Sequence, residues 1–182
     1  MTEILPSDPE STEGLPKGYF FVTYEGESAS IRDIDGAFYF ILEQVQKEPL
    51  LLEITKEQYR ELKEAKQKNA VEIEKKFLVE ELPEDLQSYP HTMLEQSYLI
   101  IDIGNEVRIR EKNKDGKKSY TLTIKSGNNE IRGEYQAFLT EQQYIILKAR
   151  QVNNSIRKYR FEIPDKNSGR TIELDIFLDN GL

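Results

Sequence analysis

In the stretch VEIEKKFLV at Val71–Val79, Glu72, Glu74 and Lys76 alternate with Val71, Ile73 and Phe77. As a β-strand, this period-two pattern puts two carboxylates and an amine on one face. Val71, Ile73, Phe77 and Val79 take the other, with Lys75 out of place. Carboxylates two apart on a strand lie roughly 6.5–7 Å from each other, so they can converge on one divalent ion or on two neighbouring ions.

The same alternation recurs downstream. Arg108 and Arg110 oppose Val107 and Ile109, and Thr121, Thr123 and Lys125 oppose Leu122 and Ile124. Arg132, Glu134 and Gln136 share a face, as do Lys158 and Arg160 against Tyr159, Phe161 and Ile163. Glu173 and Asp175 oppose Ile172, Leu174 and Ile176.

Two arrangements satisfy these patterns. An antiparallel sheet can pack its apolar face on helices and leave the ionic face in water. Alternatively the sheet curls into a barrel with the ionic faces inward and the helices outside. The lumen would then be lined by Lys76, Arg108, Arg110, Lys125, Arg132, Lys158 and Arg160. Arginine predominates, which suits a multiply charged oxyanion such as a phosphate chain. Glu72, Glu74, Glu134 and Asp175 would share that space. Acids among bound phosphates make sense when divalent cations sit between them, and magnesium is usually held by one or two carboxylates plus water and substrate phosphates.

Composition narrows the chemistry. There is no cysteine, so disulfides, thiolate metal sites and thiol nucleophiles are excluded. The single histidine, His91, lies in the turn-like SYPHT and reads as a solvated residue rather than a catalyst. The net charge of −8 argues against non-specific nucleic-acid binding. Residues 1–70 hold 8 Lys/Arg and 14 Asp/Glu, whereas residues 71–182 hold 17 and 19, a dense and nearly balanced mixture. No apolar run is long enough to span a bilayer, and the N-terminus lacks the basic start and apolar core of a secretory signal, so a cytoplasmic protein is expected.

The elements that must position these residues follow in order. Residues 1–18, rich in Pro, Ser, Glu and Gly, read as a flexible acidic tail. Residues 19–68 form a small α/β region, with strands at Tyr19–Tyr24, Ala37–Leu42 and Leu50–Ile54, and a helix opened by a Thr55/Gln58 capping box. Residues 69–182 form a second region. Leu82–Thr92 is a polar connection with room for one helical turn, and Glu95–Asp102 reads as a strand. Glu106–Arg110 and Tyr120–Lys125 read as a hairpin turning at Asp115-Gly116. Arg132–Leu139, Ile156–Ile163 and Thr171–Phe177 are further strands, with a helix capped by Thr140 and Gln143 between the first two.

A short internal similarity links the regions. Thr55, Gln58, Tyr59 and Leu62 recur as Thr140, Gln143, Tyr144 and Leu147, and the Ile31-Arg32 and Asp35-Gly36 pairs echo Ile109-Arg110 and Asp115-Gly116. Either the first region is a partial copy of the second, with Ser30 for Arg108 and Glu43 for Lys125, or two capped amphipathic helices share common residues by chance.

The blocks EIEKK, QSYL, VRIR, LTIK, RGEYQ, RKYRF and ELDIF, in this order over residues 71–182, resemble the CYTH or triphosphate tunnel metalloenzyme family, whose signature is ExExK. The resemblance implies an α+β fold built on an antiparallel β-barrel, a tunnel with a charged interior, binding a triphosphate and Mg²⁺ or Mn²⁺. By position it implies Glu72, Glu74 and Asp175, extended by Glu134, as metal ligands. It likewise implies Lys76, Arg108, Arg110, Lys125, Arg132, Lys158 and Arg160 on phosphate. Tyr98 matches a tyrosine that, in the inorganic triphosphatase branch, works beside the signature lysine, here Lys76; read alone, it is a packed strand aromatic.

The implied activity is metal-dependent hydrolysis of a triphosphate, foremost inorganic tripolyphosphate. A non-catalytic polyphosphate-binding module, a thiamine-triphosphatase and an adenylate cyclase are the alternatives on the same fold. Gln136 stands where many members carry a second acid. The family pattern also continues beyond DNGL into a strand bearing an acidic pair and a terminal helix, so the barrel is expected to be incomplete at that end. The N-terminal strands, a partner or a homodimer would complete it.

Overall fold

A computed structural model describes residues 18–68, 71–72, 76–127 and 132–178. The described residues form mostly antiparallel sheet with two α-helices, an α+β architecture. Among the described residues no helix is long and apolar enough to cross a membrane.

Strands β1 (Tyr19–Tyr24), β2 (Glu27–Ile34), β3 (Ala37–Glu43) and β4 (Leu50–Ile54) form a four-stranded meander, followed by α1 (Lys56–Lys68). A larger sheet holds β5 (Val71–Glu72), β6 (His91–Asp102), β7 (Asn105–Lys114), β8 (Lys117–Ser126), β9 (Arg132–Leu139), β10 (Ile156–Pro164) and β11 (Thr171–Phe177), in the order β11-β10-β6-β7-β8-β9-β5. Helix α2 (Glu141–Lys148) follows β9, and a single 3₁₀ turn at Leu86–Ser88 precedes β6.

The tight turns are those the sequence demands. Asp35-Gly36 and Asp115-Gly116 both carry positive φ at each residue, 52° and 84° in the first and 52° and 79° in the second. That is the type I′ geometry whose twist suits a two-residue hairpin. Both helices open with complete capping boxes. Thr55 Oγ1 accepts from Gln58 N (3.1 Å) while Gln58 Oε1 accepts from Thr55 N (2.8 Å). Thr140 and Gln143 repeat the pair at 3.2 and 3.0 Å.

The apolar faces of the two sheets meet in one core. Phe21, Ile31, Phe40, Leu42 and Leu52 from the smaller sheet, Leu99, Ile109, Leu122 and Ile124 from the larger, and Leu62 and Leu147 from the helices all belong to it. Regions 19–68 and 69–182 are therefore joined by shared burial, and both helices contribute to the apolar side of the larger sheet.

The internal similarity extends through the topology. Each region contains a β-β-β-β-α unit, β1 to α1 and β6 to α2, with strands in meander order. The first strand of each unit is irregular at the same place, between Phe20 and Val22 and between Tyr98 and Ile100. Ser30 pairs with Phe20 and Ile41 as Arg108 pairs with Tyr98 and Thr123. Glu43 faces Ser28 as Lys125 faces Glu106.

One expectation is corrected in part. Of the strand expected over Val71–Val79, Val71–Glu72 forms and Lys76–Val79 does not, residues 73–75 lying outside the described residues. Val71 and Glu72 pair with Gly133 and Arg132, the first described residues of β9. Lys76–Val79 is irregular, and Phe77 and Leu78 are 80% and 100% exposed instead of covering a core. Nor is the sheet closed among the described residues. It begins at β11 and ends at β5, with no ladder between them among the described residues. The tail expected over residues 1–18, Gly18 apart, and Glu74 lie outside the described residues.

Candidate functional site

The register of the larger sheet lines up one polar face, row by row. Asp175, Arg160 and Thr92 are cross-strand neighbours, as are Gln96, Arg110 and Thr121. Tyr98, Arg108, Thr123 and Gln136 form the next row, and Glu106, Lys125 and Glu134 the one after. Side chains directly opposite on antiparallel strands point to one side. Five of the cations expected at the site, Arg108, Arg110, Lys125, Lys158 and Arg160, thus share the face turned away from the core, with Tyr98, Glu134 and Asp175.

These charges are not simply in water. Lys125 is 4% and Lys158 8% exposed, and Gln96 and Thr123 beside them are buried. Most of the cations have carboxylate partners. Arg108 pairs with Glu106 at 2.8 Å and Lys125 with Glu134 at 3.3 Å. Asp175 accepts Lys158 Nζ at 2.5 Å and the Arg160 Nε and Nη2 at 2.7 and 2.8 Å, while Glu173 takes Arg160 Nη1. Arg110 differs. Its Nη2 donates to the neutral Gln96 Oε1 at 3.0 Å, and among the described residues no carboxylate is paired with it. The Nε groups of Arg108 and Arg110 are buried and, among the described residues, lack an acceptor.

The electrostatics follow from this crowding. Burial pushes the Arg110 guanidinium below its ordinary value, and Arg108 and Arg160 push it the same way against the pull of Asp175 and Glu173. Burial also lowers the Lys158 ammonium; Asp175 opposes the fall, and Arg160 and Arg110 add to it. For Arg160 the Asp175 hydrogen bond outweighs burial and the shift is upward. Burial alone would raise the Asp175 carboxyl, but hydrogen bonds from Arg160 and Lys158 prevail and hold it below the usual value.

The remaining expected residues are placed as follows. Lys76 is exposed in the irregular segment after β5. Arg132 and Glu72 face each other as backbone partners at the edge of the sheet. His91 lies against the rings of Tyr159 and Phe161, with centroids 5.8 and 5.0 Å away. Among the described residues no group of three or more acidic or histidine side chains is arranged as a metal cage.

Two participants were missed in the sequence. Glu106 pairs with Arg108 from two residues away on the same strand, a spacing that signals a shared face. Gln96 joins Arg110 to Tyr98, donating from Nε2 to the phenol oxygen. The bulge after Tyr98 hid it, because Leu99 and Ile100 both enter the core and interrupt the alternation.

Fold and face together define an α+β protein with a partly buried, cation-rich face on an antiparallel sheet. No family model, curated protein or solved structure matches the chain.

Proposed function

We propose that this face binds a triphosphate and that the protein is a metal-dependent triphosphatase with inorganic tripolyphosphate as its preferred substrate. The observation that carries the reading is Arg110, a guanidinium out of bulk water, repelled by Arg108 and Arg160, and with no carboxylate partner among the described residues. A charge partly withdrawn from water beside two other cations, with no carboxylate in contact among the described residues, is costly. An oxyanion accepting from Arg110, and from the orphan Nε groups of Arg108 and Arg110, would remove that cost.

On this reading Arg108 and Arg110 grip the middle of the polyphosphate, Lys158 and Arg160 hold one end in the orientation fixed by Asp175, and Lys125 and Arg132 meet the other. Preorganised cations of this kind stabilise charge as it shifts during attack by water, with no covalent nucleophile required. Lys76 and Tyr98 would act at the reacting end, as the resemblance implies. The oxygen donors Glu134 and Asp175 suit Mg²⁺ or Mn²⁺, and Glu72 and Glu74 would join them. When bound, such an ion would screen phosphate charge and orient the chain. The tunnel itself belongs to this proposal, as β11 and β5 need further strand between them to enclose the substrate.

The test is phosphate release from tripolyphosphate, ATP and thiamine triphosphate with Mg²⁺ or Mn²⁺. Tripolyphosphate is expected to be hydrolysed fastest, with Glu74→Gln abolishing turnover and Arg110→Ala raising KM about tenfold or more, in line with loss of a charged hydrogen bond. Tight binding without turnover would leave a polyphosphate-binding module. Failure to bind any of the three would remove the reading altogether.

A further inference from the structure

Gln96 is buried between two expected site residues and touches both. Its Oε1 lies 3.0 Å from Arg110 Nη2, and its Nε2 contacts the hydroxyl oxygen of Tyr98. The neighbours fix which way the amide faces. A guanidinium can only donate, so the glutamine oxygen must turn toward Arg110 and its nitrogen toward Tyr98. The phenol oxygen is then an acceptor from Gln96, and its own O–H is left to point away from the glutamine. Cross-strand register sets Tyr98 opposite Arg108, in the row next to Arg110.

We infer that Gln96 is a positioning residue that makes Tyr98 a hydrogen-bond donor toward the bound phosphate while anchoring Arg110 beside it. This rests on the triphosphatase reading and extends it to one residue's role. A donor in this place stabilises the oxygen on which charge accumulates as the terminal phosphoryl group departs. Arginine alone could fix the anion's position. Turning the Tyr98 hydroxyl outward needs a donor to its oxygen and holding Arg110 needs an acceptor, and one amide side chain supplies both.

The experiment is a double-mutant cycle on the full chain with Gln96→Met, which preserves volume, Tyr98→Phe, and the pair, using tripolyphosphate as substrate. Urea midpoints verify that each variant is folded. Tyr98→Phe should lower kcat roughly 10²-fold. Gln96→Met should lower kcat about tenfold and raise KM about threefold, as Arg110 loses its anchor. The double variant should match Tyr98→Phe in kcat and Gln96→Met in KM. Multiplicative effects on kcat, or an unchanged kcat in Gln96→Met, would overturn the role. If the wild-type chain binds tripolyphosphate without turning it over, the triphosphatase reading fails, and the same cycle is read in dissociation constants. Coupled losses then support the link, whereas independent losses, or no binding, defeat it.

Discussion

Asp175 shows how a residue can be legible in type and still surprising in its contacts. Its position on an ionic face follows from alternation, as do those of Arg108, Arg110, Lys125, Lys158 and Arg160. That it would sit between Lys158 and Arg160 does not, because the cross-strand register of β10 and β11 is a three-dimensional fact. Its replacement by alanine strips a carboxylate from the buried Lys158 and the half-buried Arg160. Asp175→Ala should therefore cost about 2 kcal/mol, less than a fully buried pair because water reaches the site. The acid limb of stability tests the same contact. The Asp175 carboxyl is held below its ordinary 3.8 in the folded chain, so its contribution is fully present above that value and lost as pH falls through the depressed one. Urea unfolding from pH 5 down to pH 2 should show this loss, and Asp175→Asn should flatten it. An unchanged profile would mean that the pairing adds nothing to folding.

At the scale of elements, alternation located the strands, though those expected over Glu106–Arg110 and Tyr120–Lys125 extend to Asn105–Lys114 and Lys117–Ser126. Arg132–Leu139 and Thr171–Phe177 form with the expected bounds. Strand β2, ESASIRDI, was not located in this way, since small and charged residues give little strand signal and only pairing with both β1 and β3 creates it. The segment VEIEKKFLV departs the other way. Its pattern is strong, yet Lys76–Val79 is irregular and Phe77 and Leu78 lie exposed. Turns are the most local elements and the most predictable. Gly116 has φ of 79° and nothing within 4 Å of where a Cβ would stand. Gly116→Ala should thus cost roughly 1–2 kcal/mol through backbone strain alone. Its urea midpoint should fall while tripolyphosphate affinity stays as in the wild type; a change in affinity would show that the hairpin's far end shapes the site.

The whole molecule is organised by two similar units facing each other across a shared core, and the contact at their junction is reciprocal. Gln58 Nε2 donates to Gln143 Oε1 at 2.8 Å, and Gln143 Nε2 donates to Gln58 Oε1 at 3.1 Å. Each amide also reaches across to the other unit's backbone, Gln58 to the Phe138 carbonyl and Gln143 to that of Glu53, at corresponding places two residues before each cap. This mutual geometry adds to the matched bulges and strand order that make the two units structurally alike. The first unit keeps the scaffold and lacks most of the ionic face: Ser30 stands for Arg108, Glu43 for Lys125, and Arg32 is retained where the second has Arg110. Because Gln58 and Gln143 are both buried, removing one breaks its own capping box, costs the other amide two hydrogen bonds, and leaves the Phe138 or Glu53 carbonyl without its donor. Gln58→Leu and Gln143→Leu should each destabilise by about 1–3 kcal/mol, and the double substitution by less than their sum, because it removes both halves of the same network. Both units should also unfold in one transition, since Leu62, Leu147 and the facing sheets belong to a single core. Additive losses, or separate transitions for the two units, would show that the junction does not couple them.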